Sequence, residues 1–251
     1  MDNIYHQDNV RAVSIAAVDE MTQFIRGIYY RAVPFICVTV FVWILLAAIG
    51  IELYHYLLVP FYVLLIFAFL TMVVLHCIPQ TAICTPCNWI LACFVVAMTT
   101  LGGAQSATGL GTLPLVLAVF GVTLIVLILN FSGAMCPQDF LPGGVFSTLL
   151  MIFLLIALIA LGIVQLCTGN QKVLDAFISI LFIMVIIAIP IQAQFNHGRL
   201  DAIELVPQQH LVVCALTVYL HTVMFFSCIC YFIKVEEKKA ATAPSTTSEY
   251  Y

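Results

Sequence analysis

The residue with the widest range of possible chemistry in this sequence is a histidine inside an apolar run. His221 lies in the stretch VVCALTVYLHTVMFFSCICYF, which is otherwise almost wholly apolar. An imidazole can exchange a proton near neutral pH, bind a metal, or donate and accept hydrogen bonds. An ionisable side chain in such a run indicates a functional site. A structural hydrogen bond to a neighbouring helix is the alternative, and the sequence alone leaves both interpretations open.

A second candidate for chemistry is the pair Cys84 and Cys87, which form the motif CTPC. A CxxC pair can be redox-active or can supply half of a zinc site. Zinc takes about four ligands, and the sequence contains no second CxxC. His76 and Cys77 could complete a site only by an unusual path of the chain. We therefore expect no bound metal and no other cofactor, and no disulfide in a cytosolic setting.

The six histidines raise the alternative of an intramembrane zinc hydrolase. Such an enzyme needs two or three histidines that converge with Asp or Glu on one metal. The sequence has no HxxxH pair, and His210 and His221 stand eleven positions apart. It also contains no nucleophile triad, phosphate loop or nucleotide-binding motif. We therefore expect a protein that is not an enzyme and keep the hydrolase as a minor alternative.

The elements that must position these residues are membrane spans. The chain is 64% hydrophobic and only 8% charged, whereas soluble domains carry about 25% charged residues. About 20 apolar residues span a bilayer as a helix, and long unbroken runs exclude the alternation of a barrel. The sequence predicts an all-α polytopic membrane protein with about seven transmembrane helices, at about 33–53, 54–78, 89–103, 110–131, 145–167, 173–191 and 211–233. The third is the weakest, because Gly102 and Gly103 cut it short.

These segments divide the chain into three parts. Residues 1–31 form a short N-terminal segment, 32–233 the membrane domain, and 234–251 a polar tail expected to be disordered. In the first part, FIRGIYY places apolar side chains on one helical face. This pattern fits a helix lying along the membrane interface, or a helical extension of the first span.

The positions of the charged residues indicate part of the orientation across the membrane. Arg11, Arg26 and Arg31 argue that the N-terminus is cytosolic. Seven full spans then place the lysines after residue 233 on the opposite side, whereas a re-entrant last segment would return them to the cytosol. The length of 211–233 favours a full span. The formal net charge of −4 gives no case for nucleic-acid binding.

Four stretches occur in a characteristic order along the chain. The first span contains FIRGIYYRAVPFICVTV, and the third begins at TPCNWILACF. The fourth span and the loop after it contain VTLIVLILNFSGAMCPQDFLPGG, and the last span contains ALTVYLHTVMFF. In this order they resemble the lifeguard branch of the transmembrane Bax-inhibitor-motif family. The resemblance covers residues 24 to 232 and implies a Bax-inhibitor-like helical bundle. The residues that carry it are Arg26, Pro86, Asn88, Trp89, Thr123, Val126, Asp139, Phe140, Gly143, Gly144, Ala215, Leu216, Tyr219, Leu220 and Phe226.

The chain departs from this family at two positions where the family has aspartates. His221 stands at one of them and Gln192 at the other, while Gln194 matches a glutamine of the family pattern. Two close buried carboxylates cannot both ionise cheaply, so the family pair is expected to share a proton between spans six and seven. Gln192 cannot ionise, and His221 is never anionic. We expect the two side chains to approach within hydrogen-bonding reach, directly or through a water.

The resemblance implies a calcium-permeable leak across an internal membrane, of the endoplasmic reticulum, the Golgi or endosomes, with effects on cell death. Its partners would be membrane lipid, calcium ions and apoptosis-regulating membrane proteins. Because calcium prefers carboxylate oxygens, the changed pair predicts a weak or differently regulated leak with an altered proton-linked gate. A non-conducting membrane scaffold is the main alternative, and a seven-helix receptor fits poorly because the arginine-rich end precedes the first span.

Overall fold

The protein is built from apolar helices. The structure, a computed structural model, describes residues 3–136, 144–197 and 210–242. The helices in chain order are α1 (Asn3–Ile49), α2 (Phe61–Cys77), α3 (Pro79–Ile83), α4 (Cys87–Ala107), α5 (Thr112–Met135), α6 (Gly144–Thr168), α7 (Gln171–Asn196) and α8 (Leu211–Thr242). These described ranges contain no β-strand, which confirms the all-α class for them.

Six of the described helices are long and apolar enough to cross a membrane. The crossing segments are Glu20–Ile49, Cys87–Ala107, Thr112–Met135, Leu149–Thr168, Gln171–Asn196 and Leu211–Ala240. The remaining apolar helix, α2, has 17 residues and at about 1.5 Å per residue is about 26 Å long. The prediction of a polytopic helical membrane protein is thus confirmed, with six long apolar helices and one shorter one.

Two predicted spans begin or end elsewhere in the structure. The segment predicted at 54–78 starts as a helix only at Phe61, after a 3-10 turn at Leu53–His55 and after Pro60, which lies in extended conformation. Proline is accepted next to the first helical turn because the missing N–H has no partner there anyway. The third predicted span does not stop at its glycine pair, and α4 continues to Ala107.

The two ends of the membrane domain are helical as well. α1 runs without a break into the first span, so FIRGIYY is an extension of that span rather than a separate interfacial helix. Its buried residues Phe24 and Ile28 pack against Cys214 and Ala215 at the start of α8. At the other end, α8 continues past the predicted boundary at 233 to Thr242. The remaining tail, 243–251, lies outside the described residues.

α8 is the central helix of the bundle. It packs against α1, α4, α5 and α7, and 89% of its most apolar stretch is buried, against at most 44% in the other five crossing helices. The end of the bundle where α8 begins is called the N face, and the end toward which α8 runs is called the C face. α2 runs from the C face, where Phe61 lies near Tyr231, to the N face, where His76 lies near Thr217.

Candidate functional site

A cavity toward the N face is lined by both Gln192 and His221. It measures about 390 Å³ and lies between α2, α6, α7 and α8. Its polar lining residues are His76, Cys77, Gln192, Thr217 and His221, and the rest of its wall is apolar. The name histidine cavity is used for this space below. Three helices that are far apart in sequence therefore deliver polar side chains to one place.

Helical spacing explains how these side chains reach the cavity. Thr217 and His221 are four positions apart on α8, so they lie one above the other on the same face. Ala188 and Gln192 have the same spacing on α7 and also line the cavity. His76 sits in the last turn of α2. The three helices present these faces to one another because α8 packs against both α7 and α2.

Gln192 and His221 face the same cavity without a direct hydrogen bond in the described part of the chain. The Gln192 amide Nε2 instead donates to Asn196 Oδ1 at 2.8 Å, one turn further along α7. His221 is partly exposed to the cavity. Both residues line one cavity, the partner of the Gln192 amide is Asn196, and a link to His221 through water stays a prediction.

The tautomer of His76 follows from its hydrogen bond. Its Nδ1 lies 2.8 Å from the carbonyl oxygen of Met72. A carbonyl only accepts, so Nδ1 carries the proton, and in the neutral ring Nε2 is left as an acceptor. From the sequence alone, His76 was considered only as a possible metal ligand near the CTPC motif. Nothing in the local sequence pairs it with His221, because the two meet only through the packing of α2 on α8.

The histidine cavity has no fixed charge in its described lining. No Asp, Glu, Lys or Arg is among the residues that form its wall. Calcium is bound through oxygen ligands, usually including carboxylates, and this wall offers only the Gln192 amide oxygen and the Thr217 hydroxyl. Across the described residues, no three His, Cys, Asp or Glu side chains come together in a group that could hold a metal.

A buried hydroxyl cluster lies deeper in the bundle, beside the histidine cavity on α8. The Tyr219 hydroxyl lies 2.7 Å from Thr39 Oγ1 on α1 and 2.7 Å from Thr99 Oγ1 on α4. Thr39 is also 2.9 Å from Thr100 Oγ1. All four residues are buried. The cluster ties α1, α4 and α8 together, so Tyr219 has a structural role at its family-like position.

The other motif residues are spread over the molecule. Asn88 is buried at the start of α4, where its Nδ2 donates to Ala82 O at 3.3 Å and its Oδ1 accepts from the Trp89 amide at 2.8 Å. Pro86 precedes that helix, and Arg26 is an exposed residue of α1. Asp139 lies outside the described residues. None of the described three reaches the histidine cavity.

Gln194 occupies the core rather than the cavity. Its side chain is only 1% exposed, and its Nε2 has no hydrogen-bond partner among the described residues. Asn196 Nδ2 likewise has no hydrogen-bond partner among the described residues. Buried amides without partners are unfavourable, so the C-terminal turn of α7 keeps unsatisfied polar groups close to Gln192. Sequence reasoning did not single out Asn196.

The CTPC motif lies on the N face, between α3 and α4. Cys84 is exposed and Cys87 is the first residue of α4. Both thiols are free, as are the other eight cysteines. Cys77 lines the histidine cavity, but the described residues give the CTPC pair no third ligand.

No protein-family model matches the sequence, and no curated protein is significantly similar to it. The support for the helical bundle and for the cavity shared by Gln192 and His221 therefore comes from the structure. The Bax-inhibitor resemblance stands on the sequence motifs alone and is carried forward as a proposal.

Proposed function

We propose that the protein is a seven-span membrane protein of the Bax-inhibitor-motif type, with a weak or differently regulated calcium leak. The observation that carries the proposal is that Gln192 and His221 line one cavity. These are the positions at which the resemblance places the paired aspartates. A divergent member with an altered proton-linked gate accounts for both the shared location and the changed chemistry.

In this proposal α2 is the seventh span. Its first residues line a cavity at the C face and its last residues line the histidine cavity toward the N face. A length of about 26 Å is slightly short for a hydrocarbon core of about 30 Å, a mismatch that local thinning of the bilayer accommodates. With the N-terminus in the cytosol, the C face then lies on the lumenal side of an endoplasmic reticulum, Golgi or endosomal membrane.

The expected leak is weak because the histidine cavity attracts cations poorly. The family pair gains negative charge when it loses its shared proton, which draws calcium in and separates the two helices by repulsion. Here an amide and an imidazole take those places, so no such change of charge sign occurs. A protonated His221 would repel calcium.

A non-conducting scaffold that regulates cell death or calcium handling is the second candidate, and one observation favours it. Between the histidine cavity and the C face, α8 contributes a solid layer of buried side chains, among them Val223, Phe225 and Phe226. His221 and Tyr231, which line the two cavities, are about 15 Å apart along α8. A zinc hydrolase gains no support from the described residues, where no metal-ligand group is present.

Calcium flux into proteoliposomes separates these candidates. We expect the parent to pass calcium slowly, above protein-free vesicles, and the double variant Gln192→Asp with His221→Asp to pass it faster. A matched control, Gln80→Asp with His55→Asp, introduces the same two substitutions at exposed positions outside the cavity and should behave like the parent. Flux equal to protein-free vesicles in both parent and double variant would reject the leak and favour the scaffold.

A further inference from the structure

A large cavity of the described structure lies at the C face and is separate from the histidine cavity. It measures about 740 Å³, a size typical of small-molecule sites. The first turns of α2 and α7 and the last turns of α4 and α8 surround it. Three lysines of α8, Lys234, Lys238 and Lys239, line it, and the name lysine cavity is used for it below.

The α8 side of the lysine cavity is basic. Lys234 and Lys238 are one helical turn apart and share a face with Tyr231 and Val235, which also line the cavity. Lys234 is partly buried and forms no ion pair within 4 Å with the described residues, although Glu237 and Glu52 act on it electrostatically. A lysine in this position directs positive potential into the cavity.

The opposite side, from α4 and α7, is rich in hydrogen-bond acceptors. The Gln105 side chain is only 7% exposed, and its Oε1 has no hydrogen-bond partner among the described residues. Gln105 is also one of the residues that line the cavity. Asp175 is held nearby, because Oδ1 accepts hydrogen bonds from the Tyr231 hydroxyl and from Gln171 Nε2.

The two sides together specify the chemistry of a ligand. An anion is favoured beside Lys234 and Lys238, and hydrogen-bond donors are favoured beside Gln105 and Asp175. A purely anionic ligand would leave the amide oxygen unsatisfied, and a purely cationic one would meet the lysines. Phe61 and Leu174 add apolar wall, and the phospholipid headgroups of either leaflet carry phosphate.

We infer that the lysine cavity binds a phosphate ester that carries free hydroxyl groups, with the phosphate beside Lys234 and Lys238 and a hydroxyl on Gln105. Two sources offer this chemistry: the headgroup of an anionic phospholipid and a soluble phosphate ester. The inference does not depend on a calcium leak, since it uses residues at the other end of the bundle.

The test compares the lipids that remain bound to the purified full chain, by native mass spectrometry. Equal amounts of three lipids are offered: phosphatidylglycerol, which is anionic with hydroxyls, phosphatidylmethanol, which is anionic without them, and neutral phosphatidylcholine. We expect the parent to retain phosphatidylglycerol about 25-fold over phosphatidylcholine, since each of the two lysines beside the phosphate contributes about fivefold. Equal retention of these two lipids would overturn the inference.

Two variants with a control assign the contacts. Lys234→Gln with Lys238→Gln should reduce the preference for both anionic lipids about tenfold or more. Lys172→Gln removes a lysine of α7 that does not line the cavity and should change nothing. Gln105→Leu should keep the preference for anions but abolish the preference of phosphatidylglycerol over phosphatidylmethanol. If Lys172→Gln lost as much of the preference for anionic lipids as the double variant of α8, the proposed site would be rejected, because the effect would reflect the net charge of the protein.

A competition arm identifies the source of the phosphate. Glycerol 3-phosphate offers the same phosphate and hydroxyls without acyl chains. If it displaces phosphatidylglycerol only in large excess, the lipid is the ligand. If it does so at equal concentration, and this depends on Lys234 and Lys238, the site serves a soluble phosphate ester. Monodisperse elution of every variant on size-exclusion chromatography ensures that lost binding is not lost folding.

Discussion

Trp43 of α1 and Phe226 of α8 stack on each other, with ring centroids 4.2 Å apart and planes inclined by 16°. The same indole donates from Nε1 to the carbonyl oxygen of Thr100 on α4 at 2.8 Å. One side chain therefore joins three helices. Phe226 lies on α8 between His221 and Tyr231, so this contact belongs to the packed layer that separates the two cavities.

The Trp43 contact depends on a glycine, and the first prediction concerns its substitution. A Cβ atom at position 103 would overlap the Trp43 indole ring. We expect Gly103→Ala to lower the free energy of unfolding by about 1–3 kcal/mol, the usual cost of overpacking a core. A lower thermal unfolding midpoint of the purified protein in detergent would reveal this loss of stability.

Gly121 provides the matched control for this substitution. It also lies inside a long apolar helix, α5, but a Cβ added there meets nothing within 4 Å. Because alanine is the better helix former, we expect Gly121→Ala to be neutral or stabilising by up to about 1 kcal/mol. Equal destabilisation by both substitutions would mean that the tight Trp43 packing is not what constrains position 103.

The second prediction concerns the buried hydroxyl cluster. Tyr219→Phe keeps the ring but removes the hydroxyl that lies 2.7 Å from both Thr39 and Thr99. Hydrogen bonds between membrane helices contribute about 0.6 kcal/mol on average and up to about 1.7 kcal/mol. We expect a loss within this range, because the substitution removes two interhelical hydrogen bonds at once, although Thr39 keeps its contact with Thr100 and Thr99 its bond to the Val95 carbonyl oxygen.

Unfolding of the helical bundle in a mixed-micelle denaturant titration measures this loss. Tyr30→Phe is the control, since Tyr30 is 78% exposed on the same helix as Thr39. A Tyr219→Phe protein as stable as Tyr30→Phe would show that the threonine hydroxyls satisfy each other without the tyrosine.

The third prediction concerns topology. The start of α1 and the end of α8 lie at opposite faces of the bundle, since Phe24 packs near Cys214 whereas Lys234 lines the cavity at the C face. With the arginine-rich N-terminus in the cytosol, a glycosylation acceptor placed near Asn9 should stay unmodified. One placed after Thr246 should be modified in microsomes if α8 crosses the membrane fully. Modification near Asn9 would reverse the orientation, and no modification at either site would favour a re-entrant α8.

The sequence located the helices well because long apolar runs leave few alternatives for a backbone in lipid. It misjudged where individual helices begin and end. Gly102 and Gly103 were expected to end a span, but the helix continues through them and uses the missing side chains for close packing. At Gly102 a Cβ would lie 3.2 Å from the carbonyl oxygen of Phe61 on α2. A glycine that breaks a helix and one that packs against another helix look the same in one sequence.

The site was predictable only in part, and for a related reason. The motif resemblance drew attention to Gln192 and His221, which share a cavity in the structure. The contribution of His76 depends on how α2 packs on α8, and no local spacing in the sequence indicates it. Asn196 stands four positions after Gln192 on α7, so helical spacing alone could have identified it. The lysines of α8 were assigned to a disordered tail because the sequence turns polar there, whereas the helix carries them into the wall of the C-face cavity.

The fourth prediction concerns the pH dependence of calcium flux. Gln192→Asp with His221→Asp places two carboxylates on the wall of one cavity, where they should share a proton at low pH. As the pH rises the proton is lost, the pair becomes doubly negative, and calcium is drawn in. We therefore expect the flux of the double variant to rise with pH as the shared proton is lost. The parent should show no such rise.

The single variants test whether the shared proton matters. In Gln192→Asp the new carboxylate faces the imidazoles of His221 and His76 across the cavity, so a protonated histidine can neutralise it. In His221→Asp the carboxylate faces the Gln192 amide and His76, with no second carboxylate to share its proton. We expect each single variant to fall short of the double variant in both flux and pH response, measured with a calcium-sensitive dye inside proteoliposomes. A parent that already matched the double variant's flux and pH profile would place the gate elsewhere and leave His221 with a structural role.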